Sequence, residues 1–327
     1  MAAVKTSLTG IKPTNLPHLG NYLGAIRPAL RLTESYRTLY FIADYHAFTT
    51  ERDPAALHRQ VYDVAATWLA AGLDPSKTLL FRQSDVPEVF ELSWVLSCLL
   101  ASGQLERGHA YKDVVAKGET PNAGILFYPA LMAADILLYD TDVVPIGRDQ
   151  KQHLELTRDV AIRLNHSFGE GTVVVPEAQI SEAPLVPGTD GTKMSKSKDN
   201  GIPLFAPSKQ LRKVIMKIVT GSETLEERKE AAGSTVYELY AQVAPDKAEE
   251  MAAKLRAGGY GWGHAKQDLF EAIDAELAPL RERYEALRAN EAALEEELER
   301  GAERARPIAH ATMDRVRSAI GIRAPRR

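Results

Sequence analysis

Along the first half of the chain, short apolar runs alternate with segments whose apolar residues recur at helical spacing, and this alternation decides the fold. Val4–Gly10 is a short apolar run ending in glycine and predicts a buried strand. Leu39–Ala43, Leu79–Arg82, Asp142–Ile146 and Thr172–Val175 predict four more. Gly20–Tyr36 sets Leu23, Ile26 and Leu30 on one side of a helix that Pro28 is placed to bend. The next helix, Asp53–Ala71, opens on Pro54, which suits a first helical turn, and stops at Gly72. Pro87–Ala101, Pro129–Tyr139 and Arg148–Asn165 read as further helices. Strands separated by helices imply right-handed βαβ units. The expected fold class is therefore α/β, a Rossmann-like doubly wound parallel sheet.

After Asn200 the strand-like runs vanish. Helical stretches follow at Lys209–Thr220, Val236–Leu255 and Gln267–Leu287, then a long charged run, Glu291–Gly321, that Pro307 is expected to interrupt. Gly258-Gly259-Tyr260-Gly261-Trp262-Gly263 reads as a turn between helices. We expect a catalytic unit at 1–200 and a helical unit at 201–327. Residues 102–124, polar and punctuated by glycine, read as an insertion in the first unit.

Of the 327 residues, 45% are apolar and 26% charged, ordinary for a globular protein. No apolar run reaches the roughly 18 residues of a membrane span. The first residues lack the apolar stretch of a secretory signal. Cys98 is the single cysteine, so neither an intramolecular disulfide nor a cysteine metal cluster is available; its apolar setting predicts a core thiol. These features predict a cytoplasmic protein. A net charge of −4 argues mildly against a nucleic-acid partner. Lys209, Arg212, Lys213 and Lys217 at helical spacing, and the basic end Arg323-Ala324-Pro325-Arg326-Arg327, argue the other way.

Two segments carry chemistry. In an open parallel sheet, ligands bind at the carboxyl ends of the strands, and Gly10–Asn21 leaves the first strand there. Within Pro17-His18-Leu19-Gly20-Asn21, His18 can donate a hydrogen bond to phosphate. Gly20, without a Cβ, lets a nucleoside approach the backbone. The helix that follows presents its amino terminus to anionic charge. Alone, such a segment is usually just a turn. Far downstream, Lys193-Met194-Ser195-Lys196-Ser197 lies between Gly191 and Gly201. Displacement at phosphorus builds charge on the departing pyrophosphate, and flexible cations stabilise that charge best in the transition state. Lys193 and Lys196 suit this role, and Ser195 and Ser197 add hydroxyl donors. Asp135 is a third signal. It sits inside the apolar run Leu131–Leu138, where a carboxylate is costly without a partner. Met132 and Tyr128 lie on the same helical face.

The two signatures together resemble those of class I aminoacyl-tRNA synthetases. Thr9-Gly10-Ile11-Lys12-Pro13-Thr14, His18-Leu19-Gly20-Asn21-Tyr22-Leu23-Gly24-Ala25, the stretch Tyr128–Leu138 and Val144-Pro145-Ile146-Gly147-Arg148-Asp149-Gln150-Lys151-Gln152-His153 resemble the tryptophanyl-tRNA synthetases. The similarity is dense from Thr9 to Asn200 and thin afterwards. It implies activation of L-tryptophan by ATP with Mg²⁺, transfer to tRNA(Trp), and a homodimer with 102–124 near its interface. The 201–327 unit would bind the tRNA anticodon, with the last helix packing back on the first unit.

Residue by residue, the resemblance implies a tryptophan pocket of Leu8, His46, Tyr128, Met132, Asp135, Ile136, Val144, Ile146 and Gln150. Asp135 would accept the indole N–H, which is a donor with no acceptor beside it. Tyr128 and Gln150 would hold the amino group. ATP would meet Lys12, Pro13, Thr14, His18, Gly20, Asn21, Gly147, Arg148, Asp149, Val186 and the loop Lys193, Met194, Ser195, Lys196 and Ser197. The catalytic set would be His18, Lys193, Ser195 and Lys196, with no protein metal site, the Mg²⁺ riding on the phosphates. His18 stands where many bacterial members have threonine, and Leu8 and Lys12 where many have phenylalanine and glutamine. The pocket is then shaped differently and the phosphate end is more positive. Three other readings remain. A tyrosyl-tRNA synthetase must satisfy a phenol that both donates and accepts. A small nucleotidylyltransferase has no need of the helical unit. A non-catalytic RNA-binding or regulatory paralogue should have lost His18 or the lysine loop.

Overall fold

The computed structural model describes residues 4–14, 16–147, 151–180, 185–195 and 198–323. Strand β1 (Thr6–Ile11) leads to the short helix α1 (Leu19–Asn21), a wide turn at Tyr22–Ile26, and α2 (Arg27–Arg31). Then come β2 (Arg37–Ile42), α3 (Asp44–Phe48), α4 (Pro54–Ala70), β3 (Leu79–Arg82), α5 (Glu88–Ser97), α6 (Ser102–Leu105), α7 (His109–Ala116) and α8 (Ala123–Leu137). β4 (Val143–Ile146), α9 (Lys151–Phe168) and β5 (Glu177–Ile180) complete the sheet region. The rest is helical: α10 (Ser208–Ile215), α11 (Thr235–Val243), α12 (Ala248–Ala257), α13 (Trp262–Arg288) and α14 (Glu291–Ile320).

The five strands are parallel in the order β3-β2-β1-β4-β5. Alternate residues of β2 feed opposite cores, as a pleat with both faces covered requires. Tyr40 and Ile42 join the core with Val61, Trp68, Leu269 and Ile273, from α4 and α13. Leu39 and Phe41 join the core with Leu92, Leu96, Ala133, Leu137 and Leu154, from α5, α8 and α9. Helix α14 supplies Leu294 and Leu298 to the first core and Ala302, Ala305 and Met313 to the second. It therefore crosses the β3 edge of the sheet. Gly301 makes the crossing possible, because a Cβ there would strike the Leu80 carbonyl. Arg82, at the end of β3, grips Glu295 with both terminal nitrogens at 2.8 and 2.6 Å.

Several elements depart from the sequence expectation. The fifth strand is Glu177–Ile180, not Thr172–Val175, because Asn165 occupies both backbone groups of Val173. Pro245 splits the expected Val236–Leu255 helix into α11 and α12. Helix α8 begins well before Pro129, since the Asn122 side chain caps the Ile125 N–H at 3.0 Å. Pro307 does not interrupt α14, whose long buried stripe holds it together. Trp262 and Gly263 open α13 rather than ending the glycine turn. In the Gly20–Tyr36 segment, the Arg27 N–H reaches back to the Tyr22 carbonyl, forming the wide turn ahead of Pro28. Cys98 is exposed, not a core thiol; α5 buries Val89, Leu92 and Leu96 and turns Trp94 and Cys98 outward.

Candidate active site

Strand order reverses between β1 and β4, so their carboxyl ends frame the crevice where a doubly wound sheet binds ligands. A cleft of ≈1430 Å³ lies there, lined by Gly10, Ile11, Lys12 and Thr14 after β1 and by Ile146 and Gly147 after β4. His18, Gly20, Asn21, Val186, Lys193 and Met194 also line it. A smaller adjoining cavity of ≈530 Å³ is walled by Thr14, His18, Asn21, Lys193, Met194, Ser195 and Lys198. The two signatures, far apart in sequence, thus share one cleft.

They also touch. The Gly20 N–H donates to the Met194 sulfur at 3.2 Å. A Cβ on Gly20 would come within 3.0 Å of the His18 ring and 3.2 Å of the Met194 Cβ. The Leu19 N–H donates to the Ile202 carbonyl at 2.8 Å. His18 caps α1, its Nδ1 accepting from the Asn21 N–H at 3.2 Å. That bond assigns the ring proton of a neutral imidazole to Nε2.

The lysine loop is anchored by Asn200, which is 2% exposed. Its Oδ1 accepts from the Ser195 N–H at 2.8 Å, and its Nδ2 donates to Asp190 at 2.8 Å and to the Lys193 carbonyl at 3.2 Å. The Met194 N–H donates to the Val186 carbonyl at 3.0 Å. Lys193 itself is exposed. Lys12 is half-buried and makes no ion pair among the described residues; burial lowers its pKa from the ordinary lysine value.

A second cluster is deeply buried. Asp135, on α8, is 2% exposed. Its Oδ2 pairs with His46 Nε2 at 2.9 Å, and Gln83 Nε2 donates to Oδ1 at 2.8 Å and to Oδ2 at 3.0 Å. Burial pushes the Asp135 carboxyl up, against the pull of His46 and Gln83. The Tyr128 ring lies 4.2 Å from the His46 ring, and burial followed by the Asp135 charge raises its hydroxyl pKa.

Of the residues singled out from sequence, the structure brings Lys12, Thr14, His18, Gly20, Asn21, Gly147, Val186, Lys193, Met194 and Ser195 to the clefts. Pro13 is buried beside them. His46, Tyr128 and Asp135 form the second cluster, with Met132 and Ile136 on the same helix α8. Leu8 lies in β1; Val144 and Ile146 lie in β4, where Ile146 also lines the large cleft. Arg148, Asp149, Gln150, Lys196 and Ser197 fall outside the described residues. Sequence reading missed Gln83 and Asn200. Gln83 directly follows β3 at the carboxyl edge of the sheet, which was the available signal. Among the described residues, no three His, Cys, Asp or Glu side chains converge to hold a metal ion, and no helix is long and apolar enough to cross a membrane.

The model of the tRNA synthetases class I (W and Y) family matches residues 4–278. The tryptophan–tRNA ligase of Rhodopirellula baltica is 48% identical over 97% of this chain and 99% of its own. That of Xylella fastidiosa is 49% identical over 97% of this chain and 76% of its own. The crystal structure of the tryptophanyl-tRNA synthetase of Campylobacter jejuni, complexed with ADP and tryptophan, superposes with a TM-score of 0.91. It is 41% identical, covering 97% of this chain and all of that one. The chain belongs to the class I tRNA synthetases, in the family of the tryptophan and tyrosine enzymes.

Proposed function

We propose that the chain is a tryptophan–tRNA ligase whose large cleft binds ATP and whose Asp135 cluster reads the indole. The observation that carries this reading is the junction of the two signatures at the β1–β4 switch point. In the first step the tryptophan carboxylate attacks the α-phosphorus of ATP. A P–O bond forms to the carboxylate oxygen, the bond to the bridging oxygen breaks, and pyrophosphate leaves. In the second, a hydroxyl of the terminal tRNA adenosine, the 2′-hydroxyl, attacks the acyl carbon and AMP leaves. Positioning and charge stabilisation do most of the work. His18 donates to phosphate through Nε2. Lys193 and Lys196 meet the departing pyrophosphate, with Ser195 and Ser197 as hydroxyl donors. Mg²⁺ enters with ATP and neutralises part of its charge. Asp135 accepts the indole N–H.

Residues 1–200 form the catalytic unit in this reading, and 201–327 hold the tRNA anticodon. The exposed basic face of α10, with Lys209, Arg212 and Lys213, supports an RNA contact. The homodimer is supported by an apolar surface at α3 and α5. Trp94 there is 69% exposed, and Tyr45 packs edge to face on Phe90 with centroids 4.5 Å apart. Translation places the enzyme in the cytoplasm. The test is exchange of labelled pyrophosphate into ATP with each amino acid in turn. Exchange that requires tryptophan is expected. Equal exchange with tyrosine, or none, would overturn the assignment.

A further inference from the structure

Asp135 has two oxygens, each with room for about two hydrogen bonds. Oδ2 is filled, by His46 Nε2 and by Gln83 Nε2. Oδ1 receives only Gln83 among the described residues. Among the described residues, one acceptor position therefore remains on Oδ1, which matches the single N–H of an indole. We propose that Gln83 is a positioning residue that holds Asp135 Oδ1 as the acceptor of the indole N–H, and thereby sets discrimination against isosteres lacking that proton. This rests on the reading of Asp135 given under the proposed function.

The orientation of Gln83 is fixed from both ends. Its side chain is 1% exposed. Its Oε1 accepts from the Tyr45 N–H at 3.2 Å, while its Nε2 faces the carboxylate. Flipping the amide would set an oxygen against the carboxylate and a donor against the Tyr45 N–H. The turn that carries it is stapled to α3. Asp44 accepts from the Ser84 N–H at 3.1 Å and from the Ser84 hydroxyl. His46 is the other anchor, on Oδ2 rather than Oδ1. A neutral imidazole donates through Nε2 in only one tautomer, and its Nδ1 is buried without a partner among the described residues. The amide donates at every pH.

The test compares tryptophan with benzothienylalanine, in which sulfur replaces the indole N–H, in pyrophosphate exchange. Gln83→Met removes both donors at similar volume; Gln83→Leu repeats the test if that variant is too unstable to purify. Asp135→Ala, which removes the acceptor, serves as the reference for it. We expect Gln83→Met to reduce the preference for tryptophan by roughly tenfold or more, the loss typical of a buried hydrogen bond to a charged group. The KM for tryptophan should rise, while kcat for the analogue and the KM for ATP hold. If Asp135→Ala loses the preference and Gln83→Met keeps it, the Gln83 proposal falls and the Asp135 reading stands. Equal losses for both substrates in Gln83→Met would show a purely structural role and also overturn it. If Asp135→Ala keeps the preference, the Asp135 reading falls and takes the proposal with it.

Discussion

The Gly20 N–H donates to the sulfur of Met194 at 3.2 Å, so the first signature holds the second by a backbone contact rather than by charge. Glycine favours it, because a Cβ at residue 20 would press on the His18 ring at 3.0 Å and on the Met194 Cβ at 3.2 Å, and both would have to give. Gly20→Ala should therefore shift His18 and the lysine loop together by a few tenths of an ångström or more. Misplacement on the scale of 1 Å costs roughly 100-fold in rate. A smaller shift costs less, so we expect pyrophosphate exchange to fall by roughly tenfold while the KM for tryptophan stays near its original value. Steady-state exchange kinetics of the purified variant check this.

Asp135→Ala removes the acceptor and leaves His46 and Gln83 as buried donors without a partner. A site built around a hydrogen bond loses a few kcal/mol when one side goes, about two decades or more in kcat/KM. Tryptophan kcat/KM should drop by that much, with the KM for ATP little changed. A near-normal kcat/KM would remove Asp135 from the pocket.

Trp94 tests the apolar surface. It leaves α5 beside Phe90, one turn back, and contributes nothing to the core. An exposed tryptophan at an interface centre is worth about 2 kcal/mol or more on truncation. Trp94→Glu should shift the sedimentation equilibrium from dimer toward monomer and leave the melting temperature of the monomer unchanged. A profile identical to that of the original protein would place the dimer contact elsewhere.

The strands legible in the sequence were those buried on both faces. β2 and β3 are almost wholly apolar, and a run such as Leu39–Ala43 has few other solutions. β5 was not legible, because Glu177 and Ala178 and Ile180 are exposed on an edge strand and the more apolar Thr172–Val175 competes nearby. Three of the helix departures turn on proline. Pro129 and Pro307 are outweighed by packing, whereas Pro245 is not. In the site, the contiguous motifs around His18 and Lys193 could be read directly. Gln83 could not, because its partner Asp135 lies on another element, and no local spacing encodes a contact between the end of β3 and the last turn of α8. Asn200 was hidden likewise, since its work is to hold backbone groups of a loop rather than to face a ligand.

Lys12 carries the last prediction. It follows β1 and lines the large cleft, half-buried and without an ion pair among the described residues. Burial lowers its pKa from 10.5, because the ammonium loses hydration that no ion pair among the described residues replaces. ATP phosphates would supply the missing counter-charge. Opposite unit charges about 4 Å apart attract by roughly 4 kcal/mol at an effective dielectric near 20, before desolvation is subtracted. Lys12→Gln should therefore raise the KM for ATP and make exchange more dependent on Mg²⁺, with little change in the KM for tryptophan. The pH dependence has a definite sign. Below the lowered pKa the ammonium is charged and attracts ATP; as pH rises through that pKa the charge is lost. The original protein should show its KM for ATP climbing at a pH below the ordinary lysine value of 10.5. Lys12→Gln should start from a higher KM and lack that alkaline limb. Exchange measured across pH and Mg²⁺ for both proteins decides it: superimposable ATP curves would mean that Lys12 does not meet the phosphates.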